Sequence, residues 1–325
     1  MCIHTYGCFI ATSHYTDLPS SIITASSHSV QFNCVAKMEG HTKAVYKCSF
    51  SSDRRLLATA SLDNTVRLWD VDEQQCMATL SDHTSYVRSC KFSPDDKLVA
   101  SASIDGTVRL WDVKSHRCIA ILNVHSGFVN GCAFSADGSV LASASDDTTV
   151  CLWNVQTFSN MATLQGHTNG VEGCDISRDG ILASASWDKT VRLWDMNTQQ
   201  CITVLTGHTD ECYQCCFTAD GTLLASTSWD NTVRLWDMRA RHSIATLTDS
   251  NNLTYQCSFS SDGALVAAAC AWDKVARIWE VRTLRCISTL QHDYYVQACS
   301  FSSNGMIATA GGYDPVEDYT VRLWQ

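Results

Sequence analysis

From Cys34 onward the chain is written in short runs in which apolar and small side chains alternate, as in LLATAS (56–61), LVASAS (98–103) and VLASAS (140–145). Such alternation puts one set of side chains on each face of an extended strand. The Val, Leu, Ile, Cys, Thr and aromatic residues that fill the runs suit half-buried strands. Turn residues (Ser-Pro-Asp, Asp-Gly, Asp-Asn) separate them. The pattern predicts an all-β fold of many short strands.

The runs belong to a repeat. TVRLWD or a near copy returns seven times, with tryptophans at 69, 111, 153, 194, 236, 279 and 324, so the intervals are 42, 42, 41, 42, 43 and 45. Upstream of each lies a strand pattern, before it CxFSxDG or a relative (CKFSPDD, CAFSADG), and before that a histidine at 41, 83, 125, 167, 208 or 292. Four short strands make a small sheet with two apolar faces. Stacking such sheets in a ring buries both faces and limits exposed edges.

From Val35 to Trp324 these correlated motifs resemble the WD-repeat (WD40) family of β-propellers. The resemblance implies a seven-bladed β-propeller of four-stranded antiparallel blades. Six units carry an outer strand after the Trp: QCMATL, RCIAIL, NMATL, QCITVL, SIATL and RCISTL. None follows Trp324 in this sequence. The segment NCVAKM (33–38) has the same pattern, and Cys34 precedes His41 by the same seven residues that separate Cys76 from His83. It is expected to complete the last blade as its outer strand and close the ring. The propeller is thus placed at 33–325. Residues 1–32 form an extension, either a decayed repeat (IITASSHSVQF echoes LATASLDNTVRLW), a flap on the outer or bottom face, or an unfolded segment.

In that family a His, a strand Ser or Thr, a turn Asp and the Trp are hydrogen-bonded inside each blade. The resemblance implies five such sets: His41, Ser61, Asp63, Trp69; His83, Ser103, Asp105, Trp111; His125, Ser145, Asp147, Trp153; His167, Ser186, Asp188, Trp194; and His208, Ser228, Asp230, Trp236. A Ser–His–Asp grouping also describes a hydrolase triad. Five periodic copies, each with a Trp, point instead to buried polar groups satisfying one another. The sixth unit reads LTDSNN (247–252) where a His is expected and Ala271 where the Ser is expected. The seventh keeps His292, Asp318 and Trp324 but has Gly311 and the insertion GGYDPVED (311–318). These two blades should be the softer sector.

Cysteine follows the repeat. Cys48, Cys90, Cys132, Cys174, Cys215, Cys257 and Cys299 share a first-strand position; Cys34, Cys76, Cys118, Cys201 and Cys286 share an outer-strand position. They are read as small hydrophobes. Thiols on different blades do not converge on one ion, so no metal is expected. No phosphate-cradling loop or cofactor fingerprint occurs. The chain is expected to be neither an enzyme nor a cofactor carrier.

The loops before the first strands and the turns between second and third strands share one rim, the top. Family contact positions there fall on Trp187, Trp229 and Trp272 before the turn Asp, and beside the first-strand Val on Tyr46, Tyr86, Arg88, Phe128, Glu172, Glu211, Tyr213, Tyr255 and Tyr295. Clustered exposed aromatics mark interaction sites. A basic, extended peptide across blades four to six is the expected partner, its cations resting on rings and its charges meeting Glu172 and Glu211. LASTSWDNTVRLWDMR (224–239) resembles the WD-x-Arg box of cullin-RING ligase substrate receptors; Arg239, or Arg282 in the looser WEVR, would meet the adaptor. The first-strand cysteines also resemble the sensor propellers of apoptotic protease-activating factors, and the propeller half of a U-box ligase is a further alternative.

Charge narrows the partners. Lys plus Arg number 23 against 33 Asp plus Glu, a formal charge of −10, which disfavours nucleic acid and anionic membranes. No apolar run approaches the ~18 residues that span a bilayer. The first lysine is Lys37 and no Arg precedes it, unlike the charged start of a secretory signal. With 18 thiols read as reduced, a cytoplasmic or nuclear, monomeric protein is expected.

Overall fold

A computed structural model describes residues 30–248, 253–312 and 319–325. The expectations for the extension before Val30, for most of LTDSNN and for residues 313–318 of the insertion, Asp318 included, lie outside the described residues. Within them run twenty-eight strands, β1 (Cys34–Met38) to β28 (Val321–Trp324). They form seven four-stranded antiparallel sheets. Six sheets use four consecutive strands each. The seventh has the order β1, β28, β27 (Ile307–Gly311), β26 (Val296–Phe301).

The N-terminal strand therefore closes the ring. Cys34 pairs with Trp324, Ala36 with Leu323 and Met38 with Val321. Beyond the strand ends, Asn33 and Gln325 exchange both N–H···O bonds, at 2.9 and 3.0 Å. Ala36 and Met38 are buried with Val45, Leu57 and Trp69 of blade one, so the closing strand also fills the seam between the last blade and the first.

Every seam repeats this arrangement. Between blades one and two, Ala58, Val66, Leu68 and Leu80 pack against Val87, Phe92, Val99 and Trp111. Burial thus lies between sheets, which is why no blade is stable by itself. The Ser-x-Asp signature is turn chemistry: Ser51 Oγ donates to Asp53 Oδ1 at 2.7 Å, and the same carboxylate oxygen takes the Arg55 N–H at 3.0 Å.

One expectation is corrected here. The outer-strand cysteines are not fully buried: Cys76, Cys118 and Cys286 pack half-buried against the core, while Cys34 and Cys201 are exposed. Each strand bulges beside its cysteine, and the thiol caps the carbonyl two residues on. Cys76 donates to Ala78 O at 3.4 Å while Arg67 Nη1 donates to its sulfur at 3.6 Å. Cys118 with Arg109 and Cys201 with Arg192 repeat the pattern. The thiol-to-carbonyl bond recurs at Cys34 and Cys286 as well.

Candidate interaction face

In all seven blades the turn between the second and third strands is tied to the residue before the first strand. Leu62 N–H donates to Ala44 O at 3.0 Å, Trp187 to Gly170 and Trp229 to Glu211 at 2.9 Å, and Gly312 to Tyr295 at 3.0 Å. These bonds make both sets of loops one rim.

Below the rim, a relay runs through each of blades one to five. Trp69 Nε1–H donates to Thr59 Oγ1 at 2.8 Å, Thr59 meets His41 Nε2 at 2.7 Å, and His41 Nδ1 meets Asp63 Oδ2 at 2.7 Å. The Asp63 carboxylate accepts from His41 Nδ1–H, and the Thr59 hydroxyl joins Nε2 to the Trp69 N–H. The bridging hydroxyl is Thr59, not the expected Ser61; in the next four blades it is Ser101, Ser143, Ser184 and Ser226, not Ser103, Ser145, Ser186 and Ser228. Both positions share a strand face, but only the lower one lies level with the indole. Ser61 stands at the turn, where it takes the Asp63 N–H at 3.1 Å and donates to Lys43 O at 3.0 Å. Burial alone would raise the carboxyls of Asp63, Asp105, Asp188 and Asp230; hydrogen bonds from histidine and the turn threonine outweigh it and hold them far below the usual range.

At the centre of the top, Arg88 of blade two reaches over the axis to Glu172 of blade four, Nη2 to Oε1 at 2.5 Å. The Arg88 guanidinium also lies 4.8 Å from the Tyr46 ring centre. Glu172 is 6% exposed. Burial raises its carboxyl against the pull of Arg88, while Glu172 raises the Arg88 guanidinium against its own burial. Two expected contact residues are thus engaged with each other. Glu172 and Arg88 bond each other inside the channel mouth, because first-strand side chains one residue past the Val converge on the axis.

The three rim tryptophans do not form one exposed row. Trp187 and Trp229 are half-buried, with Nε1 enclosed and unpartnered. Trp229 stacks on Tyr213 at 5.4 Å, and Tyr213 meets Tyr255 edge-on at 4.6 Å. Trp272 is 59% exposed. Blade six explains the difference. Thr254 pairs with Cys270 as Cys212 pairs with Ser228, so Cys270 rather than Ala271 takes the serine place. Ala271 then makes the rim bond to Leu253 O at 3.1 Å, and Trp272 is carried one residue farther out. The interval of 43 between Trp236 and Trp279 was the sequence signal for this.

Trp272 and Tyr295, with ring centres 5.7 Å apart, wall a groove of about 300 Å³ between blades six, seven and one. Tyr46, Leu62, Tyr255 and Gln297 complete it. Tyr86 and Phe128 are exposed on the rim of blades two and three, and Glu211 is half-buried beside Trp229. The open groove thus shares blade six with the expected blades four to six and extends to blades seven and one.

Comparison with known families agrees with this architecture. The family model described as IFT122 first beta-propeller matches residues 20–271, well over half of the chain. The WD domain, G-beta repeat, matches residues 284–325. This chain is a WD-repeat β-propeller. It is similar to Protein Mut11 of Chlamydomonas reinhardtii, 47% identical over 53 residues, 16% of this chain and 14% of that protein. It is also similar to Telomerase protein component 1 of Rattus norvegicus, 39% identical over 57 residues, 18% of this chain and 2% of that protein. Each match spans a small part of the relative. WD-repeat propellers generally serve as non-catalytic scaffolds that bind proteins or peptides.

At the end of this WD-repeat propeller away from the rim, Arg239 and Arg282 are exposed on turns that also bond Met238 to Thr222 and Val281 to Ala264. There the channel widens into a cavity of about 420 Å³ ringed by Phe50, Phe92, Phe134, Phe217, Phe259 and Phe301. Among the described residues, no three His, Cys, Asp or Glu side chains gather as metal ligands would, and no helix is long and apolar enough to cross a membrane.

The relay gives a direct test. Ser226→Ala strands the Trp236 N–H and His208 Nε2 in the core. It should cost about 2–4 kcal/mol, one desolvation penalty for each orphan. Ser226→Thr should keep most of the stability, since Thr59 does the same work in blade one. Urea unfolding of both variants decides it; equal losses would remove the hydroxyl from the relay.

Proposed function

We propose that this propeller is a non-catalytic protein-interaction scaffold that seats a partner segment in the top groove between blades six, seven and one. The observation that carries the reading is the groove itself: about 300 Å³, walled by Tyr46, Tyr255, Trp272 and Tyr295, with Trp272 projecting over it. Tryptophan and tyrosine at the centre of an interface supply most of its binding energy. The partner segment is extended and basic. A net charge of −10 favours its approach, and a cation on a ring face contributes ~0.5–2 kcal/mol. The setting is the cytoplasm or nucleus, and the propeller acts as a monomer.

Peptides rich in Lys and Arg, selected on the immobilised chain and measured by titration calorimetry, provide the test. Trp272→Ala should weaken binding by about 2 kcal/mol, roughly thirtyfold, with the melting temperature unchanged. Rising salt should weaken it further. Full affinity in Trp272→Ala, or early melting, sinks the assignment. A second reading draws on the exposure of Arg239 and Arg282 at the opposite end: a cullin-RING ligase adaptor would dock there. Adaptor binding lost in Arg239→Ala, with peptide binding intact, would separate the two.

A further inference from the structure

In blades one, four and six the penultimate residue of the first strand reaches across to the next blade. There Ser49 Oγ accepts the Phe92 N–H at 3.5 Å, Asp175 Oδ2 the Phe217 N–H at 2.8 Å, and Ser258 Oγ the Phe301 N–H at 3.1 Å. Blade five carries a thiol at this position. Its residue is Cys216, and the sulfur lies 3.3 Å from Cys257 Sγ of blade six. Cys257 is the recurrent first-strand cysteine, while Cys216 is an addition outside the repeat. Thiol sulfur is a weak acceptor, and here it makes a sulfur–sulfur contact with blade six where blades one, four and six make a hydrogen bond to the next blade. Both residues line the 420 Å³ cavity, whose rim includes the exposed Ser52, Pro94 and Ser261. Cys216 is the half-exposed member and Cys257 the buried one.

We propose that Cys216 and Cys257 form a dithiol site that a small peroxide converts to a disulfide joining blades five and six. The ionised Cys216 sulfur attacks one peroxide oxygen. The O–O bond breaks, leaving a sulfenic acid on Cys216 and, once a proton is taken up, one water. Cys257 sulfur then attacks Cys216 sulfur, the S–O bond breaks, and the hydroxyl leaves with the Cys257 proton as a second water. The two thiols together lose two electrons and two hydrogens, and the peroxide receives them. An S–S bond is ~2.05 Å long, and the two sulfurs start 3.3 Å apart. The hydrogen bond to Cys257, and then burial, raise the Cys216 thiol. The pair therefore reacts slowly and stays reduced under brief exposure.

The bond closes a loop across 41 residues and pins one seam of the ring. The melting temperature should rise by about 5 °C. The full chain is treated with hydrogen peroxide, its remaining thiols are alkylated, and it is digested without reductant. The expected product is a cross-linked peptide pair, lighter by two hydrogens, with Cys216 and Cys257 assigned by fragmentation. Cys216→Ser, which places there the residue found at Ser49, Ser258 and Ser300, should lose both the cross-link and the thermal shift. Cys257→Ser should do the same. The proposal is overturned if wild-type Cys216 and Cys257 remain alkylatable after the exposed Cys34 and Cys201 are oxidised, or if Cys216→Ser keeps the shift. The peptide map of the wild type decides the matter even where a variant folds poorly.

Discussion

Deleting residues 1–38 is expected to abolish the soluble, monomeric propeller, while deleting residues 1–30 leaves it standing. The difference is β1. Without it, β28 becomes an unpaired edge carrying Trp324, and the backbone bonds from Cys34 to Met38 are lost. The seam to blade one opens as well, because Ala36 and Met38 are buried there with Val45, Leu57 and Trp69. Burial of the Met38 side chain alone is worth roughly 1.5–3 kcal/mol. With the ladder and the opened seam, the loss reaches on the order of 5 kcal/mol, comparable with the whole ~5–15 kcal/mol stability of a folded protein. An apolar strand edge left bare promotes association. The shorter deletion keeps Phe32, packed against the seam of blades six and seven, and the Asn33–Gln325 exchange. It should change stability by less than about 1 kcal/mol. Thermal melts and size-exclusion profiles of both truncations check this; equal behaviour would remove the N-terminal strand from the closure.

Closure was legible because it depended on a repeat: the spacing from Cys34 to His41 already matched that from Cys76 to His83. What the repeat hid was which of two equivalent-looking positions acts. Thr59 and Ser61 lie on the same strand face, and strand periodicity alone cannot choose between them. The height of the indole chooses, and that is a property of the folded sheet. Trp272 was hidden differently. Aligned on its Asp it matches Trp187 and Trp229, but one extra residue in the turn swings it out. Glu172 could not have been read from local pattern at all. Its partner Arg88 is 84 residues away, and only the ring brings blades two and four to a common axis. The outer-strand cysteines recur in the sequence, but their bonds to the carbonyl two residues on are seen only in the folded strand.

Glu172→Gln is expected to be among the most damaging single substitutions in the chain. It keeps the shape of the side chain and removes only the charge. Arg88 would then remain a cation with 15% of its side chain exposed and no carboxylate to meet it. Breaking a buried pair in this way costs about 3–5 kcal/mol, because the remaining charge is left uncompensated. Removing both charges is a different matter. Arg88→Met with Glu172→Leu should recover most of the loss, since apolar groups of similar volume carry no desolvation penalty at the axis. The groove should register the change too, because Tyr46 packs against the Arg88 guanidinium on one side and walls the groove on the other. Urea unfolding of the two singles and the double forms a cycle whose interaction energy isolates the pair. Peptide titration on the double variant then asks whether the closed channel mouth is needed for binding. If Glu172→Gln costs under about 1 kcal/mol, the pair is no better than a surface contact and the channel mouth is not held shut by it.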